Sequence, residues 1–577
     1  MILQQLVQDA ERIVGDMPPP MYGPTPIKWI IDLDAEGKLI GCIPTTGSDN
    51  PKKDKGLVRP APILSRKRTS GVAAVLLVDK PSYVFGIPAD DKRATEKTDA
   101  FRKLIAECAA ATGNPTLTAV TAFLAWWDSG ERTLSRLYQQ EVGDGDLFTF
   151  RVAGRLPIDD ADVRQFWADK SYAADDGASG ALAQCLLCGR QTVIPKCLPV
   201  PIKGLIGGQS SGIPLVSINA DAFESYGLKD GATSGVCMDC GERFGKALNH
   251  LLAADDSHLG VGPIAYAFWT RQGGGFAWAT MLKQPQPDTV KQLLSSYKSG
   301  KEFTAFDQDD FYATALTASG GRAVIRDWLH TTVGTASAQL AHWFARLQQV
   351  DEYGQPGKPL GVFLLARSLY RDPKDIEAPV PKALVQAALH GTLLPAWLLT
   401  KAVHRSRVEK TVTYPRAALL KTILISQGIW KEDSMTQLEP EETKPGYLCG
   451  RLLAVLEEVQ RASAEGNLNT TLVDRFYGAA STSPASVFGN LLSDAQPHLA
   501  KLRKKRPGTH MALQMRLEEV LLNLTGFPRT LSMQDQALFS LGYYHQRAHD
   551  RAAMQARKAA GNADLTTIIE HEEDDHE

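Results

Sequence analysis

Four of the eight cysteines in this chain stand as two pairs, Cys185-x-x-Cys188 and Cys237-x-x-Cys240. Thiolates two residues apart can bite a single ion, and two such pairs supply the four sulfurs of a tetrahedral Zn²⁺ site. Four protein ligands leave no open coordination position, so the chemistry implied is structural rather than hydrolytic. Gly189 and Gly241 follow the pairs, as in knuckle turns whose backbone N–H groups face sulfur. The 48 residues between the pairs exceed a compact zinc ribbon, so this insert must fold as its own subdomain. The alternative is four buried, unligated thiols. Cys42, Cys108, Cys197 and Cys449 are scattered, which in a cytosolic chain favours burial or metal over disulfides.

Between the pairs lies PIKGLIGGQSSG, residues 201–212. Glycines let a backbone approach a ligand closely and expose N–H donors. Lys203 offers a phosphate partner, Gly207 and Gly208 open the backbone, and Gln209, Ser210 and Ser211 can donate and accept at base edges. The pattern is not GxxxxGK[ST], so a P-loop is excluded. An ordinary flexible loop has the same composition.

Three further clusters are basic. Lys52, Lys53, Lys55, Arg59, Arg66, Lys67 and Arg68 face one acid, Asp54, and run into Thr69 and Ser70. Lys401, Arg405, Arg407, Lys410, Arg416 and Lys421 face only Glu409. Lys501, Arg503, Lys504, Lys505 and Arg506 fall within six residues. Such density suits phosphate contact, and Arg322 with Arg326 adds to it. A solvated surface is the competing reading at each.

The whole chain carries a net charge of -2, which argues against a nucleic-acid binder. The last eight residues hold six acids and no Lys or Arg, so residues 1–569 carry +4. Local clusters matter more than the sum. The N-terminus lacks a signal-peptide pattern, and no run of 18 apolar residues suggests a membrane span. We expect a cytoplasmic protein with no membrane partner.

The elements that must position these groups read as α+β. A length of 577 residues implies several domains. IKWIIDLD and KLIGCIP read as strands around AEG, and VAAVLLVD and YVFGIP read in the same style. Residues 94–139 read as helix, LFTFRVAG as strand and VRQFWADKSYA as helix. The expected organisation is a mixed α/β region over 1–275 with the metal-bound insert, then a mainly helical region over 276–445. FDQDDF reads there as a helix start and KPLGVFLLA as a strand-like insert. The charged, proline-bearing stretch 431–446 reads as a linker. A helical bundle over 446–561 follows, and 562–577 reads as a disordered acidic tail.

The runs IKG…GGQSSG…LVSINADAFESYG, Arg68-Thr69-Ser70-Gly71 before Asp79 and Tyr83–Gly86, and GGRAVIRDW resemble the large subunit of the subtype I-C CRISPR Cascade. GYLCGRLLAVLEEVQ, DRFYGAASTSPASVFGNLL and LSMQDQALFSLGYYHQR are similar to that family's C-terminal segment. The resemblance spans nearly the whole chain. It implies a non-catalytic subunit of an RNA-guided complex that reads the protospacer-adjacent motif (PAM) in duplex DNA. It further implies help in opening the duplex into an R-loop, support of the displaced strand, and docking of a helicase-nuclease. The implied partners are crRNA, target double-stranded DNA, backbone subunits, the crRNA-handle-binding subunit and small subunits. The C-terminal bundle resembles the small subunit, which in that family can also be made from an internal start. The resemblance does not imply zinc.

No HExxH, GxSxG or nuclease-like D…ExK is present, and His250, His330, His342 and His545 are isolated. The chain therefore reads as a binding subunit. The reading from a different class is a stand-alone zinc-binding nuclease or DNA-processing enzyme, which would cut DNA unaided with Mg²⁺ or Mn²⁺. An RNA-only scaffold would show no PAM dependence.

Overall fold

Ile31 and Leu33 alternate with polar Asp32 beside a turn at Asp34-Ala35-Glu36-Gly37, and this pattern folds as an antiparallel hairpin. Strands β1 (Tyr22–Ile27), β2 (Trp29–Leu33), β3 (Leu39–Pro44) and β4 (Leu57–Pro62) open the chain. The β2–β3 turn is closed by the Asp34 carboxylate, which accepts from the N–H groups of Glu36 and Lys38, and Gly37 has φ +88°. Strand β5 (Phe148–Val152) lies parallel to β2 and completes a three-stranded sheet in the order β3-β2-β5. β1 and β4 form a separate two-stranded ribbon. Prolines 24, 26, 60 and 62 are tolerated there because each strand keeps a free edge.

The computed structural model describes residues 2–46, 55–64, 71–87, 91–130, 142–175, 182–218, 220–273, 277–299, 307–431, 434–464, 466 and 468–573, with backbone only at 230, 297, 298 and 557–573. These residues form two compact units. The first comprises Met1–Ala253 with Ala318–Val324, and the second comprises Ala254–Thr317 with Ile325–Glu577. The architecture is α+β, as expected.

In the first unit, helices Ala94–Thr112 and Pro115–Ser129 pack on the three-stranded sheet. Phe101, Phe123, Phe148 and Phe150 meet in its core, with Trp29 and Trp127. The expected strands in VAAVLLVD and YVFGIP do not form. Only Asp79 makes a bridge, to Phe148, and Pro81–Val84 is a helical turn. Proline at the first helical position favours that turn, and Leu77 sits at φ +59°, which breaks an extended run. Strands β6 (Leu182–Gln184) and β7 (Gln191–Val193) form a hairpin, and the helix Met238–Ala253 closes the unit.

The second unit contains the sheet β8 (His258–Val261), β9 (Ile264–Thr270), β10 (Asp310–Ser319) and β11 (Arg322–Thr332), in the order β11-β10-β9-β8. This corrects the expected helix start at FDQDDF. Asp310 opens a strand whose Phe311, Ala313 and Ala315 face the core, and Gly320-Gly321 forms the turn. Both glycines have positive φ, as a two-residue primed hairpin turn requires. KPLGVFLLA is also corrected: Val362–Arg367 is a helix, capped by Gly361.

The helices of 333–426 and those of 445–548 share one core rather than two. Leu340, Leu420, Leu448, Leu452 and Phe539 belong to the same cluster. The expected linker 431–446 is part of it. Met435 is fully buried, and the Val350 N–H donates to the Thr436 carbonyl at 2.8 Å. The expected boundary at 446 is thus not a gap in packing, and the boundary expected at 275 falls at 253. The last helix runs Met533–Glu573, past the point where the tail was expected to lose order. Alanines at 552, 553, 556, 559 and 560 are the strongest helix formers and carry it on. No helix among the described residues is long and apolar enough to cross a membrane.

Candidate metal clip and nucleic-acid cleft

The β6–β7 hairpin delivers the first cysteine pair. The Cys185 N–H donates to the Arg190 carbonyl, and the Gly189 N–H donates to the Cys185 carbonyl at 2.8 Å. Gly189 has φ +75°, the left-handed conformation that a knuckle turn needs. The second pair lies at the opening of the helix Met238–Ala253. Gly241 therefore differs from its expected knuckle role. It sits inside that helix, where an added Cβ would lie 2.6 Å from Leu198. Helix-start N–H groups replace the knuckle: those of Cys237 and Cys240 point at the sulfurs of Cys185 and Cys237, at 3.4 and 3.5 Å.

The four sulfurs of Cys185, Cys188, Cys237 and Cys240 lie within 4.8 Å of one another, and three of the four residues are buried. Cys188 and Cys237 are 3.9 Å apart. An ion with four sulfurs at about 2.3 Å sets neighbouring sulfurs ~3.8 Å apart, so the cluster fits a tetrahedral metal. A hydrogen bond from Cys240 pulls the Cys237 thiol down to about 5. Burial opposes ionisation of Cys188, but the Arg190 guanidinium, 3.4 Å from its sulfur, draws it below the usual thiol range. Arg190 is itself held by Asp239. The donor set can hold a metal.

The same helix runs on to a cleft. Gly241 and Gly245 let Leu198 and Val200 press against its backbone. Glu242 is buried and accepts from the Met21 N–H at 2.7 Å and the Tyr172 hydroxyl at 3.0 Å. Lys246 donates to the carbonyls of Pro18 and Pro19 and pairs with Glu242 at 2.5 Å. Burial lowers the Lys246 pKa, and Glu242 works against that shift. One turn further, Asn249 holds the strand-like segment 201–203 from both sides, with Nδ2 on the Pro201 carbonyl at 3.0 Å and Oδ1 on the Lys203 N–H at 2.8 Å.

Beyond Lys203 the chain makes two tight turns. Gly208 N–H donates to Leu205 carbonyl and Gly212 N–H to Gln209 carbonyl, and Ile202 and Ile213 exchange a pair of 2.8 Å hydrogen bonds at the base. Gly204, Gly207 and Gly212 all have positive φ. Lys203, Gly207, Gln209, Ser210 and Ser211 are exposed and Gly208 is half-buried. The glycine-rich stretch is thus a small, braced hairpin-like loop.

This loop, the β1–β4 ribbon and the helix Met238–Ala253 enclose a cleft of about 1160 Å³. Arg59, Lys203, Gln209, Ser211, Asn249 and His250 stand at it, and the Gly321 hairpin tip reaches it too. Pro199, Val200, Pro60 and Ile63 give it apolar walls. Arg59 also pairs with Asp159 at 2.6 Å. Arg322 stacks on Phe223, 3.9 Å from the ring centre, and the Ala323 N–H donates to the Pro214 carbonyl. Five separate sequence stretches, within 14–24, 58–64, 198–214 and 246–253 and at Gly321, therefore meet in one place.

A family model described as CRISPR-associated protein (Cas_Csd1) matches residues 3–550. The chain belongs to this family. A search of curated proteins finds no match. As a Cas_Csd1 protein, the large subunit of a type I-C Cascade, it works with other Cascade subunits and crRNA.

The remaining expected nucleic-acid residues divide. Lys52, Lys53, Arg66, Lys67, Arg68, Thr69 and Ser70 lie outside the described residues, and Lys55 is exposed. Arg503, Lys504 and Lys505 are exposed in the last turn of the helix Phe488–Lys505, beside half-buried Lys501. Most of the 401–421 cluster is turned onto the protein itself, and Lys410 alone among its six bases is exposed. Lys401 caps the Tyr370 ring and pairs with Glu377, Arg405 pairs with Glu409, and Arg407 reaches Gln536. Arg416 and Lys421 are buried. Sequence reasoning missed Glu242, Lys246 and Asn249. Their one legible signal was polar residues spaced i, i+4, i+7 along a Cys-headed, otherwise apolar helix.

Proposed function

We propose that this Cas_Csd1 chain is the non-catalytic subunit that recognises the PAM in double-stranded DNA within its Cascade, promotes R-loop formation, supports the displaced strand and helps recruit the helicase-nuclease. The observation that carries the reading is the convergence of Arg59, Lys203, Gln209 and Ser211 on one cleft. Lys203 anchors phosphate as a point charge, while Gln209 and the serines offer amide and hydroxyl groups to base edges. The braced loop supports this, because a glycine backbone admits a duplex without side-chain bulk. Exposed Arg503, Lys504 and Lys505 are suited to a single strand. Target sequence itself is read by guide pairing, by analogy with other RNA-guided systems.

Cys185, Cys188, Cys237 and Cys240 hold a structural zinc ion in this reading. The ion would tie the hairpin knuckle to the helix that lines the cleft.

The test uses the chain assembled with its subunits and crRNA. Lys203→Ala should weaken duplex binding and lower the slope of log affinity against log salt by about 1. Gln209→Ala should relax the preference for PAM duplex over the same duplex without it, with the slope unchanged. Wild-type affinity, slope and preference in both variants would remove the cleft from DNA recognition.

A further inference from the structure

The glycine loop has no regular sheet to hold it, yet its entry segment 201–203 is gripped as if paired with a neighbouring strand. The grip is a single side chain. Asn249 gives its Nδ2 to the Pro201 carbonyl at 3.0 Å and takes the Lys203 N–H on its Oδ1 at 2.8 Å. A side-chain amide carries the same donor and acceptor as a backbone peptide, so it completes the segment's hydrogen bonding without a strand. The other brace is the Ile202–Ile213 pair at the loop's base.

What makes the grip effective is the rigidity behind it. Asn249 stands on a helix that Cys237 immediately precedes and whose first turn carries Cys240. Its middle is pinned by Glu242 to Met21 and Tyr172 and by Lys246 to Pro18 and Pro19. Gly245 lets Val200, at the loop's approach, sit where an added Cβ would lie 2.7 Å away. Helix, approach segment and loop are therefore registered against one another to within a side chain's contact distance.

We infer that Asn249 is a positioning residue that sets PAM discrimination by fixing the direction in which Lys203 and Gln209 project from the glycine loop. This rests on the proposed role of the cleft. Asn249 does not itself contribute charge, so its loss acts on geometry alone. The Lys203 ammonium survives, and so does its contribution to salt-dependent, sequence-independent affinity.

The experiment compares Asn249→Leu and Asn249→Asp with wild type in the assembled complex. Leu keeps the branching at Cγ, with bulkier methyl groups, and makes neither bond. Asp keeps the acceptor for the Lys203 N–H but loses the donor to Pro201. PAM and PAM-less duplexes are titrated across a salt series, and melting of each variant is followed. Asn249→Leu should lose about tenfold in the PAM-to-non-PAM affinity ratio, the factor that two hydrogen bonds of ordinary net strength set. Asn249→Asp should lose about threefold by the same rule. The salt slope and PAM-less affinity should stay at wild-type values in Asn249→Leu, which adds no charge, whereas the new carboxylate of Asn249→Asp lowers both affinities together, so only its ratio is read. An unchanged ratio in Asn249→Leu would overturn the inference. So would a parallel fall in both affinities with a lower melting temperature, which marks a merely structural residue. Lys203→Ala and Gln209→Ala separate the failures. If they act and Asn249→Leu does not, only the positioning role falls; if they too are silent, the cleft itself is wrong.

Discussion

Residues 201–214 and residues 401–421 carry the same kind of sequence signal and meet opposite fates. Both carry basic residues, one lysine in the first and six bases in the second, both follow a proline-bearing stretch, and both are candidates for nucleic acid. In the first, Lys203 is exposed at a cleft and its neighbours are glycines and small polar residues. In the second, Arg416 is 2% exposed and Lys421 1%. The Arg416 guanidinium donates to the Ser368 carbonyl at 2.7 and 3.0 Å, to the Thr411 carbonyl and to Glu409. The difference lies in what flanks the bases. Glycines with positive φ throw the backbone outward, whereas Ala417, Leu419, Leu420 and Ile423 roll the helix Tyr414–Ser426 into the core and take the cations with it. Basic residues therefore stay available to a ligand only where the residues around them cannot bury.

The first unit should be the one that depends on metal. Cys237→Ser removes one of four thiolates from a site of the kind whose binding is worth roughly 10–16 kcal/mol in small zinc domains. Metal content should drop from about one ion per chain to near zero, by the four-ligand rule. In calorimetry the transition of the first unit should move down or vanish while that of the second stays. Wild-type melting in a metal-free variant would show that the cysteines are merely buried.

The second unit should depend instead on its buried cations. Arg416→Ala leaves the Ser368 and Thr411 carbonyls without their donor, while Glu409, 29% exposed, keeps Arg405; a buried acceptor left unpaired typically costs about 1–3 kcal/mol. Denaturant unfolding should show that loss, whereas Lys203→Ala should leave unfolding unchanged. If Arg416→Ala weakened DNA binding without loss of stability, the contrast between the two clusters would collapse.

That contrast also explains what was legible in the residues and what was not. The cysteine cluster, the β2–β3 hairpin and β5 were readable because ligand spacing and period-2 alternation are local. The β10–β11 hairpin was missed although Gly320-Gly321 marked it, because Asp307–Asp310 resembles a helix start. The shared core of 333–426 and 445–548 was hidden because a charged, proline-bearing stretch resembles a linker even when Met435 anchors it. The grip of Asn249 on 201–203 joins residues 46 apart, and nothing in a one-dimensional pattern states that pairing.

Acid should separate the units too. His545 is fully buried in the second unit, its Nδ1 2.9 Å from the Tyr447 hydroxyl, with Gln349 at its Nε2. With the Gln349 amide oriented so that its oxygen faces the ring, its nitrogen reaches the Met435 carbonyl at 2.9 Å. Burial, then the charges of Lys421 and Arg451, push the imidazole down to about 3. Its unfolded value is about 6.5. Between these values the unfolded chain binds the proton and the folded chain does not. Stability is thus complete above pH 6.5 and falls as pH drops toward 3, by up to about 1.4 kcal/mol per pH unit from this site. His545→Gln should be less stable at neutral pH yet show a shallower decline from pH 6 to 4. An equally steep decline would place the acid sensitivity elsewhere.

The smallest effect decides the comparison most finely. Lys401 is a paired member of the 401–421 cluster that still reaches the surface, with 28% of its side chain exposed against 69% for its partner Glu377, whereas Lys410 is exposed outright. Its ammonium stands 3.9 Å from the Tyr370 ring centre, and that contact with the ion pair consumes the charge. An exposed ion pair contributes about 0–1 kcal/mol, and a cation over an exposed ring about 0.5–1 kcal/mol. Lys401→Ala should therefore cost about 1 kcal/mol or less in unfolding by those same magnitudes. Phosphate competes poorly for an ammonium already seated on an aromatic face beside a carboxylate, so the variant should keep wild-type duplex affinity and an unchanged salt slope. Lys401→Arg should behave like wild type in both assays. A slope lowered by about 1 in Lys401→Ala, matching Lys203→Ala, would mean that this cluster also reaches a phosphate. Inward pairing would then no longer distinguish the two segments, and the second unit would carry a nucleic-acid surface of its own beside the helix Ala396–Glu409.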